Sequence, residues 1–359
     1  MKNPIPRNPW VRVGIILLFA AGIGALLWWR GPNWSEVGDA FQFVRWNWVV
    51  AAVGLNLLSV VVRSIAWETV ISQAMPPPRP RFPLVFSAFC VGLLGNAVLP
   101  GRIGELARVA VLTRKMPGRN RNGSWATLVG TVFAHRVFDL VPASLLIVYV
   151  LVTAKIPGWA ITSMIAVVAA GAVLFIIAFA AARRHHRSVL EEAGTLKRVV
   201  TMARYGLGVM HAPVPAAVAI FFQCFGWLCQ FFAVYTTMLA FGIDKPFPAA
   251  GLVLVLMNVA TIFPLWPGNV GLVQAAVALP LVQYGVAYST GFAFGLGLQA
   301  IEASVGVGIG LLFLAREGLS FAMLKRMPDV TEAEAGIRSR AGTEDGRPAR
   351  QDERARIPG

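Results

Sequence analysis

The chain has 359 residues, of which 57% are hydrophobic and only 14% charged. Soluble domains carry about 25% charged residues; a mean hydropathy of +0.65 and several apolar runs near the ~20 residues of a bilayer crossing exclude that class. The formal net charge of +15 does not point to nucleic acid, because the bases sit mainly in loops and the C-terminal tail, where they would orient the chain and meet anionic headgroups.

Lys2, Arg7 and Arg12 precede an apolar run from about Val13 to Trp29 that ends in Trp28-Trp29-Arg30. The run is long for a signal peptide and its end is that of an interfacial anchor, so it reads as an uncleaved first span with a cytoplasmic N-terminus. Residues 31–46 read as a short external amphipathic segment, and a second span runs from about Trp48 to Trp67. It contains Arg63, which near a helix end is expected to snorkel to the interface.

The stiff PPPRPR turn, residues 76–81, leads into the apolar stretch Phe82 to Leu99 and then into Asn96 to Arg121, NAVLPGRIGELARVAVLTRKMPGRNR. Pro100-Gly101 breaks any helix there. Broken backbone survives at membrane depth only inside protein or beside a wet cavity. Basic clusters on both sides of one apolar stretch would violate the positive-inside rule if that stretch crossed once. A re-entrant hairpin from the cytoplasm, turning near Pro100-Gly101, removes the conflict. It carries Arg102, Glu105 and Arg108 at spacings of three, with Glu105 beside both arginines.

A long segment from about Ser124 to Ala154 crosses outward and contains His135, Arg136 and Asp139 on one helical face. Charges at that depth cost roughly 2.5–3.5 kcal/mol each on insertion scales, so they face the bundle interior and pair. A further span covers about Trp159 to Ala182. The basic loop of residues 183–204 is cytoplasmic, and its adjacent His185 and His186 lack spaced metal partners. A span from about Val214 to Phe241 carries Gln223 and Gln230. A segment beginning near Ala249 ends in NVATIFPLWPGNVGLVQ, residues 258–274, interrupted by Pro264, Pro267 and Gly268. The last span, about Thr290 to Ala315, includes Gln299 and Glu302. Residues 325–359 form a charged cytoplasmic tail too poor in apolar side chains for a core and are expected to be disordered, leaving residues 1–324 as the membrane domain. Cys90, Cys224 and Cys229 lie in apolar runs, without zinc-type spacing.

The two interruptions match each other. Pro100-Gly101-Arg102-Ile103-Gly104 aligns with Pro267-Gly268-Asn269-Val270-Gly271 as P-G-x-[IV]-G. Asn96 and Asn258 lie upstream, Glu105 and Gln274 downstream, at differing spacings. Broken apolar segments in corresponding halves point to a transporter site near the midplane. The expected architecture is therefore an all-α polytopic membrane protein of about six to eight membrane helices plus two Pro/Gly-broken re-entrant hairpins in an inverted repeat. The hairpins would enter from opposite faces and meet around arginines and carboxylates. Helices restarting after each break would present N–H-rich ends to an anion, and arginine suits phosphate.

NAVLPGRIGELARVAVLTRK, the HRVFD block and PLWPGNVGLVQ resemble the flippase-like membrane domain of lysylphosphatidylglycerol synthases and its stand-alone relatives, from the first span to about residue 320. The Asn…Pro-Gly-x-x-Gly-Glu block is its most specific part. The family often has Glu where this chain has Gln274, which puts a carboxylate role there in doubt. The resemblance implies an inner-membrane protein that translocates or handles polar lipids; Arg316, Lys325 and Arg326 after the last span make the C-terminus cytoplasmic like the N-terminus. Relatives have been linked to aminoacylated phosphatidylglycerol, polyprenol- or dolichol-linked sugars and hopanoids. The synthase's soluble aminoacyl-lipid domain has no room in this chain, so lipid aminoacylation is not expected of it.

The reading is thus a lipid flippase moving a polar, anionic or glycosylated lipid. The alternatives are a membrane enzyme on a lipid-linked substrate and a non-catalytic scaffold of an envelope-lipid assembly complex. Candidate substrate-binding residues are Asn96, Arg102, Glu105, Arg108, His135, Arg136, Asp139, Asn258, Asn269 and Gln274. Glu105, Asp139 and Glu302 are candidates for a proton relay. Pro100, Gly101, Gly104, Pro264, Pro267, Gly268 and Gly271 are structural breaks. No metal, cofactor or nucleic acid is expected; the partners expected are membrane lipids and envelope-lipid biosynthesis enzymes.

Overall fold

The computed structural model describes residues 32–75, 77–98, 104–116, 121–156, 213–262 and 269–316, the side chains of 121–124 and 126 apart, and isolated positions at 22 and within 158–173. The first span, most of the Trp159–Ala182 span, the 183–204 loop, the 325–359 tail and both proline-bearing elbows lie outside the described residues.

The described residues with regular structure are helical. They comprise α1 (Trp34–Gln42), α2 (Trp46–Ala74), α3 (Phe82–Val98), α4 (Gly104–Lys115), α5 (Arg121–Thr153), α6 (Pro213–Ala240), α7 (Phe247–Ala260), α8 (Leu272–Val282) and α9 (Tyr288–Arg316). In α2, α5, α6 and α9, stretches of 27 to 29 residues are apolar enough to cross a bilayer; at ~1.5 Å per residue each exceeds the ~30 Å hydrocarbon core. With 17, 12, 14 and 11 residues, α3, α4, α7 and α8 are too short to do so. They pair as two hairpins, α3 with α4 and α7 with α8. The chain is a multi-pass membrane protein.

The two halves are copies. One offset of 167 residues, the separation of Ser59 and Gly226, carries α2 onto α6, α3 onto α7, α4 onto α8 and α5 onto α9, within a few residues at the ends. The packing obeys the same relation. α3 rests on α9 as α7 rests on α5, α4 on α5 as α8 on α9, and α5 on α6 as α9 on α2. α2 and α6, equivalent to each other, form the most extensive pair. Ser59 Oγ donates to Gly226 O at 2.8 Å. Equivalent residues in contact lie on the pseudo-two-fold axis.

The repeat is inverted. Arg45 N, at the start of α2, donates to Ala240 O at the end of α6, 2.9 Å away. Lys155 N, just past α5, donates to the Tyr284 hydroxyl just before α9, at 2.8 Å. The equivalent helices therefore run antiparallel.

The depth of the hairpins can be read along α9. Near its start, Gly291 lies against Ala278 and Gly295 against Gln274 of α8; near its end, Gly310 lies against Cys90 and Leu94 of α3, and the Phe313 and Phe86 rings are 5.3 Å apart. The stretch around Gln299 and Glu302, midway along, faces the inner ends of both hairpins. Each hairpin has its own apolar core, with Trp67, Val91 and Leu112 around the first and Val234, Leu254 and Val277 around the second.

Gly104 and Gly271 hold the same motif position for different reasons. A Cβ on Gly104 would run into the Gly92 carbonyl and Asn96. Gly271 has φ 92°, which L side chains rarely adopt.

Candidate functional site

Arg63 is where sequence reasoning erred. It lies mid-way along the 29-residue α2 rather than at an interface. Its Nη2 donates to both oxygens of Asp139, at 3.0 and 3.2 Å. The stem crosses Gly226, where an added Cβ would sit 2.5 Å from Arg63 Cγ, so the axial glycine is the notch through which α2 reaches α5.

Asp139 gathers the centre. Arg136 Nη1 donates to its Oδ2 at 3.1 Å, Gln223 Nε2 to its Oδ1 at 2.5 Å, and Trp227 Nε1 to the same Oδ1 at 2.9 Å. Gln223 and Trp227 come from α6. Sequence reading placed Gln223 in a span without giving it a role. The signal was available, since the offset of 167 residues pairs Asn56 with Gln223 and Arg63 with Gln230.

The first hairpin is tied in through Glu105. Its carboxylate pairs with Arg108, one helical turn on, and with Arg136 of α5. Arg108 is buried, with its guanidinium 4.6 Å from the Trp67 ring centroid and 5.5 Å from that of Phe89. A desolvated cation–π contact contributes about 2 kcal/mol, which helps hold an arginine away from water. His135 lies behind, edge-on to Phe89 with centroids 6.0 Å apart. Its Nε2 is 3.5 Å from Gln223 Nε2.

In front of this network is a cavity of about 780 Å³. Arg63, Arg136 and Asp139 line one part of it, Asn96 the tip of the first hairpin, Asn258 and Asn269 the second, and Glu302 the α9 side. Arg136 is the ion most open to it, its side chain 43% exposed against 16% for Arg63 and 4% for Arg108. A recess of about 60 Å³ behind the wall is bounded by Glu105, Arg108 and His135.

The structure thus brings Asn96, Arg136, Asp139, Asn258, Asn269 and Glu302 to one cavity, with Glu105, Arg108 and His135 just behind. Gln274 is fully buried and engaged at both ends: Gly271 N donates to its Oε1 and its Nε2 donates to Gln299 Oε1, both at 2.6 Å. It closes the N-terminus of α8 and steadies a cavity residue. Asn258 and Gln274 are not the repeat counterparts of Asn96 and Glu105; at the offset of 167 residues their equivalents are Val91 and Ala107. Arg102, Pro100, Gly101, Pro264, Pro267 and Gly268 lie outside the described residues.

The charge is not shared between the halves. The counterparts of Arg63, Glu105, Arg108, Arg136 and Asp139 are Gln230, Leu272, Ala275, Ala303 and Gly306, while His135 is matched by Glu302. Among the described residues, no group of three His, Cys, Asp or Glu side chains could hold a metal ion.

Comparison with curated proteins and with solved structures returned no match. Comparison with protein families gave one: the family model for the lysylphosphatidylglycerol synthase TM region matches residues 10–310. That match takes in both hairpins, the arginine–carboxylate network and Glu302, and the chain belongs to this family.

Proposed function

We propose that the chain is a lipid flippase, which passes the polar, anionic headgroup of a membrane lipid through the cavity while the acyl or prenyl chains stay in the bilayer. The observation that carries this is the cluster of arginines at mid-depth. Three guanidinium groups, Arg63, Arg108 and Arg136, face two carboxylates, Glu105 and Asp139, beside a cavity built from both halves of an inverted repeat. Sites of this kind, at the repeat interface and flanked by broken helices, are where secondary transporters bind their cargo. Arg136 supplies the open guanidinium, and arginine holds phosphate oxygens in bidentate fashion. Arg63 and Asp139 fix its position.

The protein belongs in the inner membrane, with the Arg81 and Arg316 ends of the helices cytoplasmic. Arg79, Arg81, Arg114, Lys115 and Arg316 gather there, with Glu317 the acidic neighbour beside Arg316. At the other end Arg45, Lys155 and Lys245 are offset by Glu36, Asp39 and Asp244. Membrane lipids, and the enzymes that make envelope lipids, are the partners this reading requires.

The test is transbilayer movement of labelled phosphatidylglycerol in proteoliposomes. Wild type should move it, and Arg136→Ala should slow movement at least tenfold. If wild type moves neither this nor any other anionic lipid, the reading is wrong. If Arg136→Ala matches wild type, the cavity is not the route.

A further inference from the structure

Every described carboxylate at this depth is held by arginine except one. Asp139 receives Arg63 and Arg136, and Glu105 receives Arg108 and Arg136. Glu302 lines the same cavity and, among the described residues, makes no hydrogen bond or ion pair. An ionised carboxylate inside a membrane protein needs a compensating charge. Among the described residues, the network opposite it is one positive charge in excess, three guanidiniums against two carboxylates.

Among the described residues, the surroundings add no other candidate. Of the helices packed on α9, α8 has no ionisable side chain, α3 only Cys90 beside Gly310, and α1 only Glu36 and Asp39 near its outer end. α6 has Cys224, Cys229 and Tyr235, and α2 has Glu68 and Arg63; of these only Arg63 lines the cavity. Among the described residues, the ionisable groups that share the cavity with Glu302 are therefore Arg63, Arg136 and Asp139.

We infer that Glu302 is a proton-coupling site: ionised, it is the counter-charge of the empty cavity, and it takes up a proton when an anionic headgroup enters. This rests on the lipid reading above. One surplus positive charge can be balanced by the Glu302 carboxylate or by a headgroup phosphate, but both together leave the cavity one negative charge over. In a low-dielectric site that favours exchange of one for the other. The proton adds to a Glu302 carboxylate oxygen and leaves from it when the headgroup departs, so no other bond changes. A monoanionic headgroup would then cross with one proton, and the step would be electroneutral. Glu105 and Asp139 leave the relay, since each is held between two guanidinium groups.

The measurement is calorimetric binding of dihexanoyl phosphatidylglycerol to the purified full-length protein in detergent, from pH 5.5 to 8.5, in buffers of differing ionisation enthalpy. The phosphodiester does not titrate in this range, so any proton taken up belongs to the protein. Wild type should absorb close to one proton per lipid bound at the upper end of the range. Its affinity there should fall about tenfold per pH unit, the linkage slope for one proton. Glu302→Gln should bind with no proton uptake and little pH dependence. Wild-type binding without proton uptake would overturn the inference and leave the site standing, and so would uptake that persists in Glu302→Gln. No binding by wild type, or equal binding by Arg136→Ala, would overturn the site itself and the inference with it. If the Gln variant does not fold, Glu302→Ala takes its place in the same buffers, with loss of the uptake expected and persistence of the uptake overturning the inference.

Discussion

Asp139 receives hydrogen bonds from α2, from α6 and from its own helix, through Arg63, Gln223, Trp227 and Arg136. Removing one partner of a buried ion pair is far worse than removing both, because it strands a charge. Asp139→Asn should therefore lower the unfolding free energy by about 3–5 kcal/mol, measured by titration with a denaturing detergent. The double variant Arg63→Gln/Asp139→Asn should be less destabilised than the sum of the two single ones. Strict additivity would mean the pair is not coupled. At this scale the sequence was informative about which residues carry charge and misleading about one position. Snorkelling explained Arg63 only while its helix was drawn short.

The hairpins depend on close backbone approach. Gly92 and Gly104 face each other where α3 crosses α4: a Cβ at Gly92 would sit 2.9 Å from Gly104 O, and one at Gly104 would strike the Gly92 carbonyl. Gly54 on α2 has nothing within 4 Å of the corresponding point. Replacing a helical glycine that has room should stabilise by roughly 0.5–1 kcal/mol. Gly104→Ala and Gly92→Ala should instead destabilise, and Gly271→Ala should cost about 1–3 kcal/mol through its backbone alone. Thermal melts of the four variants check the order, and a Gly104→Ala protein as stable as Gly54→Ala would contradict the crossing. Apart from α2, which runs on past Trp67 to Ala74, the helix bounds expected from apolar runs agree with those observed to a few residues, because lipid demands long apolar helices and marks their ends with charge. The first hairpin followed from charge on both sides of its segment and the second from the matching Pro/Gly break, neither from apolarity.

Inversion makes a statement about sides. Lys155 and Lys245 lie at one end of the bundle, and Arg81 and Arg316 at the other, since α2 and α6 run antiparallel and so do α5 and α9. In a protein freed of Cys90, Cys224 and Cys229, single cysteines at Lys155 and Lys245 should react with an impermeant reagent from one face of sealed vesicles. Cysteines at Arg81 and Arg316 should react only from the opposite face. Labelling of all four from one side would rule out the inverted repeat. The same symmetry explains why the network is one-sided. The halves share a backbone plan, but the first carries the ion cluster and the second, at equivalent positions, carries Gln230, Leu272, Ala275, Ala303 and Gly306. Only Glu302 keeps an ionisable group where the first half has His135.

The sequence by itself determined the membrane class, the described spans, the break motif and its duplication, because each follows from local chemistry: apolar length, proline and glycine, and the placement of charge. It also held the full 167-residue register, although the five-residue motif alone did not display it. Only the tertiary structure decided that Arg63 meets Asp139, that Gln223 and Trp227 complete its shell, that Gln274 is spent within its own half, and that Glu302 faces the cavity with no described partner. Those contacts join residues 76 to 88 positions apart, or leave a side chain alone. Pairing across such distances is set by how helices cross, which no local pattern encodes.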